Sequence, residues 1–263
     1  MSTEQFYDDL AETYHALYPD WAAETRAQGE CLDRLLARWH TGRLDIADVA
    51  CGIGTQLIGL ARLGHHLVGT DISAGSLRRA ARECEAAGVA ATLAVADMRA
   101  LPLDDGCVDA VVCADNALPH LLADDDALTA LAEMRRVLRP GGTAIVTTRD
   151  YDQVLAERPT STPPQVFESD GERLTSVQRW AWRPGTDVYD LEHVQVHEHQ
   201  GGGTTTRRRE ASYRAYTRSA LTALATRAGL QDVAWHAPEE TGFFQPVMVA
   251  HAMVVSRRTA PRG

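Results

Sequence analysis

Residues 45–57 read Asp45-Ile-Ala-Asp48-Val-Ala-Cys51-Gly52-Ile-Gly54-Thr55-Gln-Leu57. A short apolar run closes on an acid, two glycines bracket one isoleucine, and a helical pattern opens at Gln56. Glycine at such a turn lets a ligand approach the backbone without Cβ interference, while a helix start presents free N–H groups. The dinucleotide fingerprint asks for a third glycine where Leu57 stands, which opposes a pyrophosphate-bearing nucleotide.

Outward from this loop, strand-like runs alternate with helical ones, the mark of a parallel sheet. Strands are expected near Asp45–Val49, Leu67–Thr70, Thr92–Ala96, Ala110–Cys113 and Thr143–Thr147, with helices near Gln56–Leu63, Leu77–Ala87 and Asp126–Leu138. Gly64 and Gly88 read as left-handed caps, and Arg139-Pro140-Gly141-Gly142 as the stop that turns the third helix into a strand. Upstream, Phe6, Leu10, Tyr14 and Leu17 recur at helical spacing, and a second helix is expected over Trp21–Trp39. Downstream, Pro159, Pro163 and Pro164 punctuate a loop. Thr175–Arg183, Val188–His199 and Thr205–Tyr216 then read as an antiparallel excursion. A helix over Ser219–Ala228, capped by Gly229, precedes closing strands at Asp232–His236 and Val247–Val255. The chain thus divides into an N-terminal helical cap (1–44), a cofactor-binding core (45–150), an antiparallel lid (151–216) and the remainder of the core (217–263).

Composition narrows the function. The 263 residues carry 26 basic against 36 acidic side chains, a net charge of −10, which makes nucleic acid and anionic membranes poor partners. Every basic residue other than histidine is arginine; without lysine the chain has no resident Schiff-base amine and no P-loop phosphate grip. No run is apolar enough for a membrane span, and the acidic start MSTEQFYDDL does not read as a secretory signal. The five cysteines form no CxxC pair, so reduced thiols in a cytoplasm are expected. Arginine-rich, lysine-free usage fits a GC-rich genome and an enzyme of specialised metabolism.

Polar residues end successive strands. Asp71 follows Gly69-Thr70 and can accept both hydroxyls of a ribose. Asp97-Met98 offers a carboxylate for an exocyclic amine and a thioether for a ring face. Asp115-Asn116 ends the fourth strand. Alone, Asp71 reads equally as a helix N-terminal acid and Asp97 as a turn residue. Together they line the edge where open α/β sheets bind ligands.

With the LRPGG turn at 138–142, these motifs resemble those of class I S-adenosylmethionine-dependent methyltransferases. That resemblance implies an α/β fold: a Rossmann-like, seven-stranded, mostly parallel sheet with one reversed strand and helices on both faces. It implies S-adenosyl-L-methionine as cofactor, leaving as S-adenosyl-L-homocysteine, held by Gly52, Gly54, Asp71, Asp97, Met98 and Asp115. The flanks are similar to the glycine N-methyltransferase family through Tyr18, Arg26, Asn116, His120, Arg149, Tyr151, Ser212-Tyr213 and Phe244-Gln-Pro246. By that likeness Tyr18 and Arg26 join the cofactor site, Arg26 on its carboxylate. Arg149 and Tyr151 receive a carboxylate-bearing substrate, with Asn116 and Tyr213 beside it. Catalytic roles are expected for His120, Arg149 and Tyr151, with Asp115, Asp150 or His120 as proton acceptor. Phe167, Phe244 and His15 stand where that family has tyrosines and tryptophan, which turns the expectation from glycine toward a larger, more apolar amine or amino acid.

His193, His197 and His199 share one strand face. The triplet carries no paired carboxylate, so a solvated or lid-facing strand is expected and no metal. Arg207-Arg208-Arg209 is expected to be a solvated edge. Three readings stay open beside N-methylation: methyl transfer to oxygen with His120 as base, other sulfonium chemistry, and a cofactor-sensing binder without turnover. A homo-oligomer is left open as well.

Overall fold

The computed structural model describes residues 1–169 and 171–253. Its strands are β1 (Asp45–Asp48), β2 (His66–Asp71), β3 (Ala91–Val95), β4 (Val108–Cys113), β5 (Leu138–Thr147), β6 (Gln165–Ser169), β7 (Glu172–Trp182), β8 (Val188–Glu198), β9 (Thr204–Arg214), β10 (Leu230–His236) and β11 (Val247–Ala252). Its helices are α1 (Thr3–Leu10), α2 (Trp21–Leu36), α3 (Thr55–Arg62), α4 (Ala74–Ala87), α5 (Asp124–Val137), α6 (Tyr151–Glu157), α7 (Arg218–Arg227) and α8 (Pro238–Thr241), with a 3-10 helix over Ala11–Leu17.

Seven strands form one sheet in the order β10-β11-β5-β4-β1-β2-β3, in which β11 alone runs antiparallel to its neighbours. The sheet is buried on both faces, so its central strands are nearly all apolar. Met134 of α5 and Leu221 of α7 pack on one face, and Leu32 of α2, Leu57 of α3 and Leu77 of α4 on the other. Strand order reverses at β1, and the crevice beyond the carboxyl ends of β1 and β4 is where such sheets hold ligands. No helix among the described residues is long and apolar enough to cross a membrane.

Several elements differ from the sequence expectation. α2 belongs to the sheet rather than to a cap: a Cβ on Gly29 would lie 2.5 Å from the Gly59 carbonyl carbon, so small residues let α2 and α3 cross closely. The N-terminal pattern breaks into α1 and a 3-10 turn. Arg139–Gly142 is not a turn but the start of β5, where the pairing with β4 shifts register between Val108 and Ala110. The segment after 150 is helical, because Asp150 caps α6 by accepting from Gln153 N at 3.3 Å. β6 was not expected at all. The last strand is described to Ala252, and the expected residues 254 and 255 lie outside the described residues.

The second sheet, ordered β6-β7-β8-β9, packs its inner face on α1 through Phe6, Leu10, Trp180, Leu191 and Tyr213. Arg209 corrects the solvated-edge expectation. It is 3% exposed and donates to Gln195 Oε1 (2.8 Å) and to the Asp9 carbonyl (2.7 Å), whereas Arg208 pairs with Glu192 on the outer face. On its other side α1 is fastened to the core by Asp8, whose Oδ1 accepts from Ser73 Oγ (2.6 Å) and Gly75 N (2.7 Å). These bonds hold the Asp8 carboxyl below its usual pKa. Asp8→Ala is expected to weaken this docking by about 1–2 kcal/mol, the worth of a helix-capping acid. Amide hydrogen exchange over residues 3–17 should then quicken roughly tenfold, and unchanged exchange would show that the docking rests elsewhere.

Candidate active site

Two cavities meet above the carboxyl edge of the large sheet. The first, of 330 Å³, is lined by the glycine loop and by Asp71, Asp97, Met98, Asp115 and His120. The second, of 740 Å³, opens between the core, α1 and the second sheet, and is lined by Tyr18, Asp115, Asn116, Arg149, Gln178 and Tyr213 among others. Tyr7, Tyr14 and Asp115 line both, so they mark the seam.

In the first cavity Gly52 has φ +54°, and a Cβ there would meet nothing within 4 Å. The loop bends left-handed and leaves open space where a side chain would stand. Asp71 fastens it, Oδ2 accepting from Gly52 N (2.9 Å) and Oδ1 from Ser73 N (2.8 Å). Each oxygen keeps further acceptor capacity for a ligand hydroxyl. Burial raises the Asp71 pKa. Met98 lies half-buried against the core beside this space. Asp97 reaches the cavity but is already engaged: Arg99 grips both its oxygens at 2.6–3.1 Å, and that pairing lowers its pKa. Gly54, at φ +96°, is the N-cap of α3. Arg26 is not brought in; it is an exposed residue of α2 that lines neither cavity.

Beneath the loop lies an acid to which the sequence reading gave no role. Asp48 is fully buried, and among the described residues neither carboxylate oxygen has a hydrogen bond of good geometry, the Ala50 backbone being the nearest polar influence. Burial, with Asp71 nearby, pushes its pKa up to about 7. Its position at the end of β1, directly before the glycines, was the available signal. Because the folded pKa is raised, stability is fully present below the unfolded value and is lost as pH rises through about 7. Asp48→Asn is therefore expected to stabilise the ligand-free protein by about 2–4 kcal/mol near pH 8, since each tenfold change in proton affinity is worth about 1.4 kcal/mol, with the difference vanishing below about pH 4. Melting curves of both proteins across that range check this; equal melts near pH 8 would refute it.

At the seam, Asp115 Oδ2 accepts from Tyr14 and Tyr18 hydroxyls, both at 2.6 Å. Burial raises the Asp115 pKa, against these two bonds and the influence of Arg149. Asp115 and Asn116 hold successive left-handed conformations (φ 53° and 65°), which non-glycine residues adopt only where the surroundings enforce it. Thr147 does so, accepting from Asp115 N at Oγ1 (2.9 Å) and from Asn116 N at its carbonyl (3.2 Å). Among the described residues the buried Asn116 Nδ2 makes no hydrogen bond of good geometry, though it lies near enough to Tyr151 to influence it. His120 lies against Tyr213 with ring centroids 4.1 Å apart and planes tilted by 40°, and meets the Tyr7 hydroxyl at 2.8 Å. Burial drives its pKa down to about 3. A group that weakly basic stays neutral and is a poor proton acceptor near neutrality.

Arg149 floors the second cavity. Its Nη1 donates to Tyr189 Oη (2.7 Å) and Nη2 to Gln178 Oε1 (3.1 Å), and the guanidinium lies 4.9 Å from the Trp180 ring centroid and 5.4 Å from that of Tyr213. Among the described residues, Arg149 has no carboxylate within ion-pair distance. Tyr151 differs from its expected place: it is 1% exposed, lines neither cavity, and meets Tyr189 Oη at 3.1 Å. It stands behind Arg149 rather than facing a substrate. Gln178, Trp180 and Tyr189 were missed, because only the pairing of β7 with β8 sets them around Arg149.

Residues 46–142 match the family model of a methyltransferase domain. That segment is thus similar to methyltransferase domains. Around it the likenesses extend further. Glycine/sarcosine N-methyltransferase of Parasynechococcus marenigrum (strain WH8102) is 34% identical over 153 residues, 58% of this chain and 53% of that protein. The chain thus spans about half the length of the curated relatives it matches. The S-adenosylmethionine-bound amino pentose methyltransferase CalS10 of Micromonospora echinaspora shares the fold at TM-score 0.72 and 19% identity, covering 92% of this chain and 95% of that one. The sugar N-methyltransferase KedS8 of Streptoalloteichus does so at TM-score 0.76 and 20% identity, covering 93% and 94%. These two likenesses cover both sheets of the fold, not the large sheet alone.

Proposed function

We propose that the chain methylates the amino nitrogen of a small carboxylate-bearing amine larger than glycine. The observation that carries this reading is Arg149: among the described residues, a guanidinium with no carboxylate within ion-pair distance, lining a cavity that joins the glycine-loop cavity at Tyr7, Tyr14 and Asp115. A buried charge left uncompensated is costly, so the site is completed when an anion arrives. The planar fork suits a carboxylate.

S-adenosyl-L-methionine would supply an electrophilic methyl on a sulfonium. Gly52 and Gly54 would make room for its amino-acid part, Asp71 would take the ribose hydroxyls, and Met98 would face the base. The half-open acceptor capacity of Asp71 fits such a group, which brings two hydroxyls. On the acceptor side, Arg149 would fix the carboxylate, Asn116 Nδ2 would donate to it or to a neighbouring oxygen, and the amine would be directed to the seam. Asp115, with its raised pKa, is better placed than His120 to take the ammonium proton. α1 and the second sheet would exclude water, so alignment and fixed dipoles do most of the work. The names of the curated relatives and of KedS8 support nitrogen as the acceptor, and the 740 Å³ cavity supports a body larger than glycine.

Incubation with S-adenosylmethionine and a panel of amino acids, their amides and decarboxylated amines, read by mass spectrometry, tests this. A gain of one methylene on carboxylates, absent from the matching amides and amines, is the expected pattern. Equal turnover of amines without a carboxylate would overturn the role given to Arg149.

A further inference from the structure

At the tip of the second sheet, remote from both cavities, the ends of β7 and β8 bring together three side chains that could share one ion. His197 Nε2 lies 2.7 Å from Glu172 Oε2, His199 Nδ1 lies 3.8 Å from Glu172 Oε1, and one donor atom from each of the three falls within 4.8 Å of the others. The two imidazole centroids are 4.3 Å apart. None of the three lines either cavity.

No metal was expected here, because the histidine triplet carries no carboxylate of its own. The fold corrects this. Antiparallel pairing sets Leu174 opposite His197, so Glu172 arrives from the neighbouring strand, 25 residues upstream of His197. The third histidine leaves the group: His193 is 2% exposed and meets Ser176 Oγ at 2.8 Å.

We propose that Glu172, His197 and His199 bind a divalent transition-metal ion of the zinc class, clasping the tip of the second sheet. Two imidazoles and one carboxylate are a donor set that zinc accepts, leaving a fourth position for water. Donors held tetrahedrally at about 2.1 Å sit about 3.4 Å from one another. The 2.7 Å and 3.8 Å separations bracket that value, so side-chain rotation alone suffices. His199 Nε2 lies 2.9 Å from Thr205 Oγ1, an outer partner that turns Nδ1 toward Glu172. Among the described residues the ion-pair partners of Glu172 are these two histidines, so no arginine competes for it. All three are open enough to solvent for an ion to enter. The ion would join the β8–β9 turn to the start of β7, where Gln200 packs beside Gly171.

The test uses the full chain stripped by a chelator and titrated calorimetrically with zinc chloride, with cobalt absorption as a second readout. One saturable site per chain is expected, together with a tetrahedral cobalt spectrum and a melting temperature that rises with zinc. His197→Ala, His199→Ala and Glu172→Gln should each weaken binding at least tenfold and abolish the melting shift. Cys107→Ser, which alters the most exposed thiol, should change neither. The substitutions are at an exposed tip, and metal-free melting curves matching wild type confirm that each variant folds. The absence of saturable binding in the wild type overturns the proposal. So does wild-type affinity in both His199→Ala and Glu172→Gln, or loss of binding in Cys107→Ser.

Discussion

Arg149→Met is expected to raise KM for the acceptor between about 30-fold and several thousand-fold, the range that about 2–5 kcal/mol for one side of a buried charge pair implies. The affinity for S-adenosylmethionine should change less than about twofold, since Arg149 lines the second cavity and not the glycine-loop one. Stability gives a second readout. In the ligand-free protein the guanidinium has tyrosine, glutamine and aromatic faces but no counter-charge, so an apolar side chain of similar length should leave the melting temperature unchanged or raised. A variant that loses both activity and stability would mean that Arg149 holds the two sheets together rather than reads a substrate. Tyr151→Phe separates the supporting role from the direct one. It should cost far less in KM than Arg149→Met, because Tyr151 reaches the site only through Tyr189.

Asp71→Asn should weaken S-adenosylmethionine binding roughly 100-fold or more. The carboxylate accepts from Gly52 N and Ser73 N, and it would also take ribose hydroxyls. Hydrogen bonds to a charged acceptor are each worth about 1.5–3 kcal/mol, and an amide nitrogen turned toward Gly52 N–H would set two donors against each other. Asp97→Asn is the contrast. Arg99 already neutralises that carboxylate, so the expected loss is within about tenfold. Calorimetry with S-adenosylmethionine and S-adenosylhomocysteine reads both. If Asp71→Asn binds within threefold of wild type, the ribose assignment fails.

The residues that proved legible are those whose chemistry is local. Gly52 and Asp71 could be found because a left-handed turn after a strand needs glycine and because the next strand's terminal acid must point at that turn. Of the residues the family resemblance named, Asn116 and Tyr213 line the second cavity, and Tyr18, expected at the cofactor, lines that second cavity and not the glycine-loop one. Arg26 and Tyr151 were placed by the same likeness, yet one stands on an exposed helix face and the other behind Tyr189. Motif position fixes where a Cα lies along an element, not which way the rotamer turns.

By itself, the sequence determined the alternation of strands and helices, the order of acids along the binding edge, and the absence of lysine chemistry. Each follows from backbone period or residue type, which are properties of short segments. Only the tertiary structure decided that Asp48 is fully buried, that His120 is desolvated, and that Arg149, among the described residues, has no carboxylate within ion-pair distance. It likewise brought Glu172 to His197 and His199. Desolvation and pairing depend on what arrives from distant segments, and no local pattern records what will be absent from a side chain's surroundings.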